Sequence, residues 1–197
     1  MTHKPTAARD KAIAVFAAIL VAVSLAGCRK PAAGGRGDVR TTPIKAGDKA
    51  PDFTLKDQDG HDVSLKDLTA DSAVLVAFYP QDDSPVCTAE MKEFRDMYGE
   101  YNKLGVQIVG ISTNSLESHM KFKRKHELPF PLLSDESKVV TKAYGVLHEK
   151  KGVSRRSYFL VGNDGVIRYL FVEQYQKEKR GKDELLASVK KALGGGK

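Results

Sequence analysis

The chain holds two cysteines, Cys28 and Cys87, in different settings. Cys87 follows Ser84-Pro85-Val86. Serine suits a helix N-cap and proline the first helical position, so a helix is expected to start here. A cysteine in that first turn faces free backbone N–H groups and the positive end of the helix dipole. Such placement favours the thiolate, the nucleophilic form, and can bring a cysteine pKa into roughly the 3.5–7.5 range. The position therefore offers redox or nucleophilic chemistry. A cysteine can also sit in a first turn simply to pack as a small hydrophobe, so position alone leaves both readings open.

Cys28 closes the run Leu25-Ala26-Gly27-Cys28. Before it, Lys4, Arg9 and Lys11 make a basic start, and Ala12 to Ala26 carry no charge. That apolar run is short for a bilayer span and suits a signal peptide. Small residues before a cysteine resemble the lipobox of bacterial lipoproteins. There the cysteine takes a diacylglycerol and becomes the new N-terminus. The plainer alternative is a membrane anchor with an incidental Cys28. The expectation is removal of residues 1–27, lipidation of Cys28, a flexible tether to residue 45, and a folded domain over 46–197. The tether holds Pro31, Gly34, Gly35, Gly37 and Pro43, and if flexible reaches roughly 20–25 Å. The expected location is the bacterial cell envelope, exported and lipid-anchored on the periplasmic side. Arg29 after the lipidated residue favours the outer over the inner membrane. In that oxidising compartment cysteines usually pair. With Cys28 consumed, Cys87 is left alone: inert, an intermolecular link, or reactive.

The elements that must position Cys87 are legible from patterning. Ala73 to Tyr79 is a continuous apolar run, fit for a central buried strand. Pro80 stops it. Met91, Phe94, Met97, Tyr98, Tyr101 and Leu104 recur at three- and four-residue steps, so the helix from Ser84 runs to about Leu104, where Gly105 ends it. A second strand spans Val106 to Ile111, a helix Ser115 to His126, a short strand Pro131 to Leu133, and a short helix Ser137 to Tyr144. Asp59-Gly60 and Asn163-Asp164-Gly165 mark two hairpins. The second joins Ser157–Val161 to Val166–Val172. Leu185, Leu186, Val189 and Leu193 give a last helix one apolar face. Strands alternating with helices indicate an α/β domain with a mixed central sheet flanked by helices.

Composition removes several alternatives. The 197 residues are 41% hydrophobic and 29% charged, an ordinary globular balance that argues against a disordered chain. Two cysteines exclude a disulfide-stapled miniprotein. The net charge of +7 comes without a basic stripe interleaved with aromatics, so no nucleic-acid partner is expected.

The segment Tyr79-Pro80-Gln81-Asp82-Asp83-Ser84-Pro85-Val86-Cys87-Thr88 resembles the active-site loop of peroxiredoxins, the AhpC/TSA superfamily. That loop reads proline, three residues, threonine or serine, two residues, cysteine, and Pro80, Ser84 and Cys87 match it. Thr88-Ala89-Glu90 and Phe94-Arg95-Asp96 are similar to the bacterioferritin-comigratory-protein, or peroxiredoxin Q, branch. Gly47 to Leu55, Val109 to Ser112, and Arg156 to Val161 leading into Asn163-Asp164-Gly165 extend the resemblance to about Val172.

The resemblance implies a thioredoxin-like fold and a thiol-dependent peroxidase acting on hydrogen peroxide and organic or lipid hydroperoxides. Cys87 would attack one peroxide oxygen and become a sulfenic acid. Arg156 would hold the thiolate and stabilise charge on the breaking O–O bond. Ser84 would donate to and accept from the peroxide. Pro80 would shield the thiolate from water and from a competing N–H. Backbone N–H groups near Val86 and Cys87 would orient the peroxide. Arg155 is the nearest rival of Arg156, which is selected by its distance from Gly165 in the family. Glu90 pairs with a base or is solvated.

The chain departs from the branch at Lys92, where many members carry a resolving cysteine five residues after the first. It is therefore expected to work as a one-cysteine peroxiredoxin, monomer or homodimer. Its reductant would be an external thiol, either a thioredoxin-like protein or a small thiol. No cofactor and no metal are expected: His61, His119, His126 and His148 lack ligand spacing, and His148 reads as exposed loop. Two alternatives use the same fold. A disulfide oxidoreductase would want Cys-x-x-Cys, but Ser84 stands at the first cysteine position. A redox sensor would keep Pro80, Ser84, Cys87 and Arg156, with fast first oxidation and slow turnover.

Overall fold

The computed structural model describes residues 43–174 and 180–194. The expected leader, Cys28 and most of the tether lie outside the described residues. In chain order the elements are β1 (Thr54–Asp57), β2 (Asp62–Ser64), α1 (Leu65–Leu68), β3 (Ala73–Phe78), α2 (Pro85–Lys103), β4 (Val106–Ser112), α3 (Leu116–His126), β5 (Leu132–Ser134), α4 (Val139–Ala143), β6 (Leu147–His148), β7 (Val153–Ser154), β8 (Ser157–Val161), β9 (Ile167–Val172) and α5 (Lys182–Gly194). A seven-stranded sheet runs β2-β1-β5-β4-β3-β8-β9. β3 pairs parallel with β4 and β4 with β5, while β8 runs antiparallel to both β3 and β9. The sheet is mixed, as the pattern of strands and helices predicts.

Strand periodicity explains the two layers. Alternate residues of a strand point to opposite faces. Leu75, Ala77 and Tyr79 pack with Met91 and Phe94 of α2, Phe122 of α3 and Leu185 of α5. Val74, Val76 and Phe78 pack on the other side with Val140 of α4 and Leu65 of α1. Both faces of β3 are dry, which is why its sequence shows no polar alternation.

Two details differ from the sequence reading. The run Val63-Ser64-Leu65 reads as the second arm of the Asp59-Gly60 hairpin, yet Leu65 opens α1, because Ser64 caps that turn by accepting from the Asp67 N–H. The two-residue strands β6 and β7 form a separate hairpin that escaped the periodicity, being too short to show one.

Gly110 marks the tightest approach in the sheet. A Cβ there would stand 2.7 Å from Leu132 Cδ2 and 3.2 Å from Tyr79 Cε1. Both neighbours are fully buried and cannot swing away. Gly110→Val is expected to cost about 1–3 kcal/mol by overpacking, read as a lower denaturation midpoint at unchanged slope.

Candidate active site

β3 ends at Phe78, and the loop Tyr79 to Asp83 leads to Ser84, the N-cap of α2. The chain reverses through Asp83, whose φ of 55° is left-handed, a conformation that aspartate tolerates better than most residues. Cys87 then sits in the first turn of α2, as expected, and is 1% exposed. Ser84 departs from its expected local role. Its side chain makes no capping hydrogen bond; the hydroxyl donates instead to the Gln81 carbonyl at 3.2 Å. Ser64 and Ser115, by contrast, spend their hydroxyls on helix ends.

The site is built where two periodicities mesh. Cys87 and Glu90 are three apart on α2 and share a face. Arg156 and Tyr158, two apart entering β8, share the sheet face that α2 covers. Arg156 Nη2 donates to Cys87 Sγ at 3.2 Å and Arg156 Nε to Glu90 Oε2 at 2.8 Å. The Tyr158 hydroxyl donates to the other Glu90 oxygen. Glu173, just past β9, takes Arg156 Nη1 at 3.4 Å and the Arg156 backbone N–H at 3.2 Å. Arg155 also lines the cleft but gives its Nη2 to the Gly145 carbonyl at 2.6 Å rather than to Cys87 or Glu90. Strand parity thus decides between the two arginines. Glu90 proves to be the buried ionic partner of Arg156 rather than a solvated side chain. Glu173 was missed, since nothing in its local sequence marks it.

Charge and burial oppose one another at the sulfur. Burial pushes the Cys87 thiol up from its ordinary value, and the Glu90 carboxylate adds to this. The Ser84 side chain, the Gln81 backbone and the Arg156 charge pull it down, but burial prevails. The lowered thiol expected from the first-turn position is therefore not found, because desolvation outweighs the helix end. For Arg156, burial alone would weaken the base, but Glu90, Cys87 and Glu173 together hold it above its ordinary value. It is a permanent cation 2% exposed. Burial and the Glu90 carboxylate likewise push the Tyr158 hydroxyl upward, so it remains a donor.

A cleft of about 410 Å³ opens onto the sulfur. Pro80, Ser84, Cys87 and Arg156, the four residues expected to act together, all line it. Pro85, Val86 and Val153 supply apolar wall, and His148 on β6 joins the lining rather than standing in an exposed loop. Lys92 lies on α2 where the resolving cysteine was sought. Among the described residues Cys87 is the free cysteine.

The histidines have other partners. His119 and His126 share one face of α3 and meet consecutive aspartates of the loop before α2, Asp82 and Asp83. Asp57, Asp59 and His61 bring ligand-type atoms within 4.8 Å of one another. There, however, Asp57 Oδ1 already accepts from the backbone N–H groups of Asp59 and His61, at 2.9 and 3.0 Å, which locks the turn.

The chain is similar to proteins already known. Residues 46–170 match the family model described as the AhpC/TSA family. The chain is 40% identical over 150 residues to peroxiredoxin Q, chloroplastic, of Oryza sativa subsp. japonica, covering 76% of this chain and 69% of the other. It is 44% identical over 131 residues to a bcp peroxiredoxin of Coxiella burnetii, covering 63% and 85%. The crystal structure of peroxidoxin BcpB from Mycobacterium tuberculosis superposes with a TM-score of 0.66 at 30% identity, covering 77% and 95%.

These relatives overturn the expected location. The rice relative is named for the chloroplast, not for a bacterial envelope, and the family region begins at residue 46, beyond the segment on which the envelope reading rested. The lipid-anchored outer-membrane location is therefore withdrawn. No helix among the described residues is long and apolar enough to cross a membrane. The family match spans most of the chain and takes in Pro80, Ser84, Cys87 and Arg156, and with it comes the thioredoxin-like fold and the thiol peroxidase character of the family: the chain is a peroxiredoxin of the AhpC/TSA family, on the peroxiredoxin Q and bcp branch.

Proposed function

We propose that this peroxiredoxin reduces hydrogen peroxide and organic hydroperoxides through Cys87 alone, and that an external thiol restores it. The observation that carries this reading is Arg156 Nη2 at 3.2 Å from Cys87 Sγ, at a cleft that both side chains line. Arg156 offers a fixed cation with several donors, so one side chain can hold the thiolate and meet the charge growing on the peroxide. The Ser84 hydroxyl, free of capping duty, is available to the peroxide. Pro80 has no N–H to compete for the sulfur.

The steps follow. The Cys87 thiolate attacks one peroxide oxygen and the O–O bond breaks. The departing oxygen takes the peroxide proton and leaves as water or an alcohol, and Cys87 is oxidised to a sulfenate, which takes back from solvent the proton its thiol had given up and becomes the sulfenic acid. An external thiol then attacks the sulfenic sulfur, releasing water and giving a mixed disulfide. A second thiol equivalent frees Cys87 and departs as the oxidised disulfide. Lys92 supports the external route, since α2 carries no second thiol one turn beyond Cys87. The apolar wall of Pro85, Val86 and Val153 suits an alkyl hydroperoxide as well as hydrogen peroxide. The reductant is a thioredoxin-like protein or a small thiol.

The test is a single-turnover reaction of the full chain, unmodified and carrying Cys28→Ser, with a sulfenic-acid trap read by mass spectrometry. The expected result is one trapped sulfenic acid at Cys87, formed orders of magnitude faster than on a free thiol. Peroxide consumption should stop at one equivalent until a thiol is added. Oxidation at the rate of a free thiol would overturn the proposal.

A further inference from the structure

The loop that places Pro80 and Ser84 beside the sulfur is held from outside the cleft. Asp82, in that loop, is 6% exposed, and His119, on α3, is fully buried. His119 Nδ1 lies 2.9 Å from Asp82 Oδ2. The Ser118 hydroxyl donates to the same oxygen at 2.6 Å and the Tyr79 hydroxyl to Asp82 Oδ1 at 2.7 Å. The Asp82 backbone N–H reaches Asn114 Oδ1 at 3.1 Å. On the far side of the ring, His119 Nε2 lies 3.2 Å from the Leu133 carbonyl oxygen. That oxygen only accepts, so Nε2 carries a proton. The Tyr79 hydroxyl oxygen also lies 3.3 Å from His119 Nδ1. Asp83 follows in its left-handed conformation, with Lys125 Nζ at 2.6 Å from its carboxylate.

None of these groups lines the cleft, yet an aspartate buried this deeply is costly unless its hydrogen bonds are met. Every donor to the Asp82 side chain fixes it in place: Tyr79 from the end of β3, Ser118 and His119 from α3. A loop of ordinary surface character would not carry a saturated buried carboxylate. From this juxtaposition we infer that Asp82 and His119 are positioning residues for the peroxide reaction. Their buried contact clamps the Pro80–Ser84 segment to α3, so that the Ser84 hydroxyl meets the peroxide while Arg156 holds the sulfur. The inference rests on the peroxidase reading of Cys87 given above.

Two rates on the same thiol separate positioning from folding. Oxidation by hydrogen peroxide needs the loop; alkylation by iodoacetamide needs only an accessible thiolate. Both are measured in the full chain carrying Cys28→Ser, with folding followed by circular dichroism and thermal melting. Asp82→Asn and His119→Gln are expected to lower the peroxide rate at least tenfold while alkylation stays equal or rises, so their ratio falls. Breaking a buried pair also strains folding. Ser118→Ala and Tyr79→Phe, which each delete one donor to Asp82, are therefore measured alongside and are expected to lower the ratio about threefold. A purely structural role would lower the melting temperature and leave the ratio unchanged. An unchanged ratio in the folded variants overturns the inference. An unmodified chain that reacts with peroxide no faster than a free thiol overturns the peroxidase reading instead.

Discussion

Arg156→Ala is expected to slow peroxide oxidation of Cys87 by about 10²–10³-fold, the usual cost of deleting one preorganised donor to a developing charge. The physical case is direct. Arg156 is the cation within hydrogen-bond reach of Cys87 Sγ, at 3.2 Å. Its charge is one of three influences that pull the thiol down against burial. Removing it raises the thiol further, so at neutral pH less thiolate is present, and the thiolate that forms meets no counter-charge. Two losses then multiply: fewer reactive molecules and a less stabilised transition state. Arg156→Lys separates them. Lysine keeps a cation but not the planar fork that reaches Cys87 and Glu90 together, so it should recover alkylation more fully than peroxide oxidation. Stopped-flow oxidation beside iodoacetamide alkylation checks both. Equal peroxide rates in Arg156→Ala and the unmodified protein would remove Arg156 from the reaction.

The second large effect concerns Glu90. Its side chain is 3% exposed and bonds Arg156 Nε at 2.8 Å, and it also accepts from Tyr158. Glu90→Ala leaves a buried guanidinium short of its nearest acceptor and a buried hydroxyl without one. Breaking a buried pair from one side costs about 3–5 kcal/mol, a large share of the roughly 5–15 kcal/mol that holds an ordinary domain together. The denaturation midpoint should fall accordingly, with the slope retained. Glu90→Gln keeps an acceptor for Tyr158 and removes only the charge, so its stability loss should be smaller. Glu90 also pushes the Cys87 thiol upward, so the neutral variant should titrate its thiol lower. Slower peroxide reduction despite a more available thiolate would show that Glu90 serves to aim Arg156. An unfolding free energy for Glu90→Ala within about 1 kcal/mol of the unmodified protein's would refute this.

Much of this arrangement was legible before any coordinates. The apolar run of β3, the Ser84-Pro85 start and the spacing of Met91, Phe94 and Tyr101 place Cys87 at the head of a helix beside a buried strand. That information is local, and local patterning carries it well. What stayed hidden depends on contacts between distant segments. Glu90 looks like any helix glutamate until β8 brings Arg156 to it, 66 residues later. Glu173 enters the same way, from the end of β9. His119 and His126 could be put on one helix face from their spacing, but nothing in that spacing names Asp82 and Asp83 as what the face meets. The β6–β7 hairpin, two residues a strand, is too brief for a period. The thiol's direction of shift was misjudged for a related reason: helix position is a sequence property, whereas desolvation is a property of the packed whole.

The register of β8 on β3 has a consequence for how the chain tolerates change in length. Ser157 pairs with Phe78, so Arg156 stands next beyond the ladder, where β3 runs out toward the loop. A single deletion inside β8 would slide the ladder by one step and turn each side chain to the opposite face. Arg155 would then move into the slot of Arg156, while Arg156 would turn away from Glu90. At the other end of this hairpin Gly165 and Val166 are tied to Ala50 and Lys49, but Asn163 and Asp164 at the tip are exposed. Residues added there lengthen an exposed turn and leave the ladder in step. Genetic insertions, affinity tags or permuted termini therefore belong at that turn, while the stretch from Ser154 to Val161 serves as a fixed ruler.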